Sequence, residues 1–131
     1  MIRFKRLPDN IKDMVGLLAQ HLTGDPNIAF AYLFGGLAKD RPGSLSDVDI
    51  AVYVKNINSF DYLDAFSNIT DILGTDEVDL VVLNTAPISL SGRILQGRKV
   101  IADNEPFLRH KYESLTLRKF FDFSVKERNI I

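Results

Sequence analysis

The sequence contains no cysteine. Disulfides, thiolate nucleophiles and zinc–thiolate centres are therefore excluded. Its two histidines, His21 and His110, lie far apart and make no metal-ligand spacing, so neither receives a catalytic role. Neither sign of charge dominates: 16 basic residues face 17 acidic ones, for a net charge of −1. That balance argues against extended, sequence-blind binding to nucleic acid, which needs a basic surface, although one local basic patch remains compatible with it. A signal-peptide pattern is missing, as is any apolar run long enough to span a bilayer. The expectation is a cytoplasmic protein with no membrane partner and no direct nucleic-acid contact. Repeats, low-complexity tracts and linkers are absent too. What is present is 131 residues of which 46% are hydrophobic, enough for one domain over 1–131 with a proper core.

Periodicity places the elements. Ile11, Met14, Val15, Leu18 and Leu22 recur at helical spacing over 11–22, where Gly24 is placed to stop the helix and Asp25-Pro26-Asn27 to turn the chain. Ile28 to Phe34 is a continuous apolar run, the pattern of a strand buried on both faces, and Gly35-Gly36 ends it. A second β-rich run covers Asp49 to Val54. A helix is expected over 59–73 with Phe60, Leu63, Phe66, Ile69 and Leu73 on one side, followed by a strand from Val78 to Leu83. Pro87 suits the first turn of a helix over 87–96, Lys99 to Ala102 is a short strand, and the last helix runs over 105–128. The alternation indicates a small α/β sheet with helices packed on it. Too few residues link the first two strands for a crossover helix, so they are expected to be antiparallel neighbours in a mixed sheet.

The chemistry concentrates in Leu33 to Val54, LFGGLAKDRPGSLSDVDIAVYV. Alternation along a strand puts Asp47 and Asp49 on one face. Two carboxylates so close repel unless a cation lies between them, and an oxygen-only donor set suits magnesium or manganese rather than zinc. An Asp-x-Asp pair is weak by itself: with 13 aspartates in the chain, about one is expected by chance. Its place after a strand, a double glycine and a polar loop gives it weight. Gly35 and Gly36 would let an anion approach backbone amides closely, although a glycine pair alone is more often a simple turn. Asp79 opens a third strand. Beside the second strand it would complete a three-carboxylate set for two-metal phosphoryl chemistry; otherwise it is an edge charge in a patch with Asp76 and Glu77.

This stretch resembles the Gly-Ser, ten-residue spacer, Asp-x-Asp signature of the DNA polymerase β-like nucleotidyltransferases, with residues 37–46 as the spacer and Ser46 directly before Asp47. The run from Val78 to Pro106 is similar to the second half of the minimal nucleotidyltransferases, with Asp79, Asn84, Pro87, Arg93 and Gly97 at the matching places. The resemblance covers roughly residues 10–105. It implies a polymerase β-like fold and magnesium-dependent (or manganese-dependent) transfer of AMP from ATP to an acceptor. Asp47, Asp49 and Asp79 would be catalytic residues and metal ligands, and Gly35, Gly36, Ser46, Lys39 and Arg93 nucleotide-binding residues. For the minimal class it further implies an antitoxin that adenylylates a tyrosine of an all-helical HEPN ribonuclease toxin and binds it. One departure stands out: the family's serine after the first glycine is Gly36 here.

The remaining residues divide more evenly. Lys39 and Arg41 would reach triphosphate oxygens or be solvated loop charges. Ser44 would add a hydroxyl contact or belong to the loop. In the last helix, Phe107, Leu108, Tyr112, Leu115, Leu117, Phe120, Phe121 and Phe123 exceed one buried stripe; most are expected in the core and the surplus on a partner surface. Three functions compete: a protein adenylyltransferase; a binding module that neutralises a toxin by covering it; and a transferase acting on RNA ends or small molecules, for which the chain leaves little acceptor-binding space.

Overall fold

The computed structural model describes residues 7–38 and 47–128. Its centre is β1, Ile28–Phe34, whose sequence IAFAYLF carries no charge and whose first six residues are all buried. A strand with both faces apolar needs cover on both, and it receives it. β2, Val48–Val54, pairs antiparallel with β1 on one side, and β4, Lys99–Asp103, pairs antiparallel on the other. β3, Val78–Val82, runs parallel to β2 at the sheet edge, so the order is β3-β2-β1-β4 and the sheet is mixed as expected.

The helices divide between the two faces. On one face, α1 (Ile11–Thr23) contributes Ile11, Leu18 and Leu22, and α3 (Tyr62–Leu73) contributes Ile69 and Leu73, to a cluster with Ala31, Leu33, Ile50, Val52 and Leu80. On the other, α4 (Ile88–Gln96) and α5 (Pro106–Arg128) cover Phe30, Tyr32, Ala51 and Leu83, with Ile94, Leu95, Leu108, Tyr112 and Leu117 filling the layer. The short helix α2 (Gly35–Ala38) follows β1 without a gap. α4 and α5 pack closely enough that a Cβ on Gly92 would lie 2.1 Å from the Phe120 ring, so only glycine fits there.

Several boundaries differ from the sequence reading for identifiable reasons. The expected helix over 59–73 starts only at Tyr62, because Asn56 caps a 3-10 turn over Ile57–Ser59 and the Asp61 side chain accepts the Asp64 N–H as the N-cap of α3. Leu63 is 76% exposed rather than core-facing, since repeated steps of three residues drift around a 3.6-residue helix. Pro87 precedes α4 as its N-cap instead of opening its first turn. The last helix buries less than expected: Leu108, Tyr112, Leu117 and Phe120 are half-buried, but Phe107, Leu115, Phe121 and Phe123 are exposed. None of the described helices is long and apolar enough to cross a membrane.

Candidate active site

β2 presents alternate residues to opposite faces. Val48, Ile50, Val52 and Val54 enter the α1–α3 layer, which leaves Asp49, Ala51 and Tyr53 facing α4 and α5. Asp47 precedes the strand by one residue and shares the parity of Asp49. The parallel register pairs Asp49 directly with Asp79 on β3, while the antiparallel register pairs it with Phe34 on β1. Thus two segments distant in sequence, the start of β2 and β3, bring three carboxylates to one end of one sheet face. One oxygen from each of Asp47, Asp49 and Asp79 lies within 4.8 Å of the others, the first two acids half-buried and the third exposed.

Gly35 is the fourth element of this site. Its φ is +73°, in the left-handed region, and a Cβ built there would sit 2.1 Å from Asp49 Oδ2. The carboxylate therefore leans into space that only glycine leaves open. Gly36 lies in the first turn of α2 and is not among the positive-φ glycines, Gly35 and Gly74, of the described residues. Gly35 also borders a cavity of about 220 Å³ lined by Phe34, Leu90, Arg93, Ile94 and Gly97. Arg93 is exposed, and its Nε donates to the Ser89 carbonyl at 3.3 Å, so the guanidinium lies along the outer surface of α4 on the cavity wall.

Of the residues singled out in the sequence, the fold brings together Asp47, Asp49, Asp79 and Gly35, and sets Arg93 across the adjoining cavity. Lys39, Arg41, Ser44 and Ser46 lie outside the described residues. His21 belongs to the opposite layer, in a cavity beside α3, and His110 is exposed on α5. The sequence reading missed the apolar wall supplied by Phe34, Leu90 and Ile94, because apolar residues in a strand and a helix signal core whatever else they do.

This donor set fits a hard divalent cation. It consists of carboxylate oxygens only, gathered over a glycine that gives one of them room, and magnesium or manganese prefers such ligands.

The mixed four-stranded sheet, its two helical layers and the carboxylates at the β2–β3 end define a polymerase β-like nucleotidyltransferase fold. The sequence family described as Polymerase beta, Nucleotidyltransferase matches residues 17–107, more than half of the chain, and the chain belongs to it. Solved structures agree on the fold. A chain in the crystal structure of a toxin–antitoxin with AMP-PNP superposes with a TM-score of 0.71 at 20% identity, covering 90% of this chain and 94% of its own. A chain from a complex of the tri-AMPylated HEPN toxin and MNT antitoxin of Shewanella oneidensis gives 0.68 at 19% identity, covering 91% and 94%. A further Shewanella oneidensis chain gives 0.67 at 18% identity, covering 89% and 92%. No curated protein matches the chain at a significant level.

Proposed function

We propose that the protein transfers AMP from ATP to a hydroxyl, a tyrosine in the leading reading, of a HEPN ribonuclease toxin, and so acts as its antitoxin. The observation that carries the proposal is the convergence of Asp47, Asp49 and Asp79 to within 4.8 Å beside Gly35. The setting is supported by the solved chains of the same fold, one of which accompanies a tri-AMPylated HEPN toxin.

Asp47 and Asp49 would hold two divalent ions, with Asp79 completing the site of one. Such ions, when bound, neutralise charge on the triphosphate and lower the pKa of a bound hydroxyl. The chain's own residues then have separable tasks. Gly35, with Gly36 behind it, offers backbone amides to the phosphates at a place without side-chain bulk. Arg93 is the cation on the wall of the adjoining cavity, placed to pair with phosphate oxygens. Asp79 accepts the proton of the attacking hydroxyl. The hydroxyl oxygen bonds to the α-phosphorus in line, the bond from that phosphorus to the bridging oxygen breaks, and pyrophosphate leaves.

The test is a mass measurement. The purified protein is incubated with magnesium, ATP and a HEPN partner, and the partner's intact mass is read. Gain of one or more AMP units, absent with Asp47→Asn/Asp49→Asn, is the expected result. A second reading, neutralisation by binding alone, draws on Gly36 standing where the family has serine. A stable complex with no mass gain, and neutralisation that survives the double substitution, would establish that reading instead.

A further inference from the structure

Asp79 sits on an edge strand of the sheet. β3 has five residues and, among the described residues, pairs only with β2. An edge strand has ladder bonds on one side alone, and a slip of one residue would carry Asp79 to the opposite face. The near end of the pair is fixed where the Val48 N–H donates to the Glu77 carbonyl at 2.9 Å. At the far end the Leu83 N–H still donates to the Val52 carbonyl at 2.8 Å, after which the backbone turns away through bonds from Thr85 to Val82 and from Ala86 to Leu83. The ladder nevertheless continues for one more residue. Asn84 Oδ1 accepts the Val54 N–H at 2.9 Å, and Asn84 Nδ2 donates to the Val54 carbonyl at 2.9 Å. A primary amide has the donor and acceptor of a peptide unit, so this side chain stands in for the strand backbone that has left.

We propose that Asn84 is a positioning residue: by pairing its amide with both backbone groups of Val54 it pins the β2–β3 register and thereby holds Asp79 against Asp49 for cation binding. Five residue steps, at most about 16 Å at some 3.3 Å each, separate Asn84 from Asp79, so it acts at a distance from ion and nucleotide. The inference rests on the reading of the three aspartates as a cation site.

A Mn²⁺ titration tests it, with a matched control at the other edge of the sheet. Asn104 also spends its amide on backbone: Nδ2 donates to the carbonyls of Leu22 at 3.1 Å and Ile28 at 2.8 Å, where β4 gives way to α5. Asn84→Ala and Asn104→Ala thus remove comparable hydrogen bonds from opposite edges. Both variants are expected to melt earlier. Only Asn84→Ala is expected to weaken Mn²⁺ binding, by about tenfold or more, the usual effect of removing a residue that supports metal ligands. Asn84→Asp keeps the acceptor for the Val54 N–H and loses the donor, so its affinity should fall between; it also supplies the comparison if the alanine variant does not fold. Unchanged Mn²⁺ affinity in the folded Asn84 variants would overturn the proposal. So would equal weakening by Asn104→Ala, which would assign the effect to general destabilisation. A wild-type protein that binds no Mn²⁺ would instead remove the cation-site reading, and this inference with it.

Discussion

Two groups of acids lie over the same face of the sheet, and the chain treats them differently. Under α5, Glu113 is buried yet receives the Tyr32 hydroxyl at 2.7 Å, Arg98 Nε at 2.9 Å and Arg109 Nη1 at 3.2 Å. Arg109 pairs with Asp103 at 2.9 Å as well, and the Arg98 guanidinium lies 6.0 Å from the centre of the Tyr32 ring. Burial alone would raise the Glu113 carboxyl; the hydrogen bonds from Arg98, Tyr32 and Arg109 outweigh it and hold the group below the ordinary glutamate value. At the β2–β3 end, three aspartates each bring an oxygen within 4.8 Å of the others. The first group ties α5 to β1 and β4. The second is an arrangement that a bound cation favours and that mutual repulsion disfavours.

The comparison predicts different readouts for removing one charge. Asp79→Asn should lower the proposed AMP transfer on the order of 10³-fold, because the site would lose both a proposed cation ligand and the proposed proton acceptor. Mn²⁺, which should raise the wild-type Tm, should no longer raise that of the variant. Glu113→Gln should do the reverse. It leaves Arg98 and Arg109 short of a counter-charge, costing about 3 kcal/mol of folding stability in urea denaturation, while Mn²⁺ affinity of the folded protein is retained. An Asp79→Asn protein whose Tm Mn²⁺ still raises as it does that of wild type would break the distinction.

The adjacent glycines sharpen the comparison at the level of single atoms. Gly35→Ala forces a Cβ into the Asp49 carboxylate at a positive φ. It should cost about 1–2 kcal/mol in stability and a larger fraction of Mn²⁺ binding, because the displaced group is a proposed ligand. Gly36 carries no positive φ. Gly36→Ser restores the family's hydroxyl, and a hydrogen bond to a charged group is worth about 1.5–3 kcal/mol, so ATP should bind roughly tenfold tighter or better in equilibrium titration. No gain would mean that the amides already suffice or that the loop does not hold a triphosphate.

Much of this arrangement was legible in the sequence, for reasons that differ by residue. β1 is visible because seven apolar residues in a row between a turn and two glycines have few other uses. Asp47 and Asp49 are visible because alternation fixes their common face. The place of Asp79 depended on whether β3 lies beside β2, a long-range fact that the parallel register supplies. The Tyr32–Glu113–Arg98–Arg109 group was not legible at all. Its members lie in β1, just before β4 and in α5, and each in isolation reads as an ordinary core tyrosine or a surface charge. Asn84 was recognisable only as a family mark; its bond to Val54 needs the turn geometry. The surplus aromatics of α5 were overcounted as core because a long helix at one side of a small sheet has only one face to bury.

The smallest expected effect isolates the structural group by pH. In the folded protein Glu113 sits below its unfolded value, so between the two values the unfolded chain holds more protons. The stability it contributes is therefore fully present above the unfolded value, about pH 4.3, and is lost as pH falls below it. Tyr32 has the opposite sense: burial first, then its bond to Glu113, raises the phenol, so its contribution is present below the unfolded value of about pH 10 and is lost as pH rises above it. Tyr32→Phe removes one hydrogen bond to a charged acceptor, about 1.5 kcal/mol at neutral pH, and no other ionisable group. Urea midpoints measured from pH 3 to 11 should then show a shallower acid limb, because Glu113 has lost one of the bonds that depress it, and no alkaline limb from residue 32. Parallel acid limbs for wild type and variant would mean that the arginines alone hold Glu113, and that the tyrosine contributes packing rather than charge stabilisation.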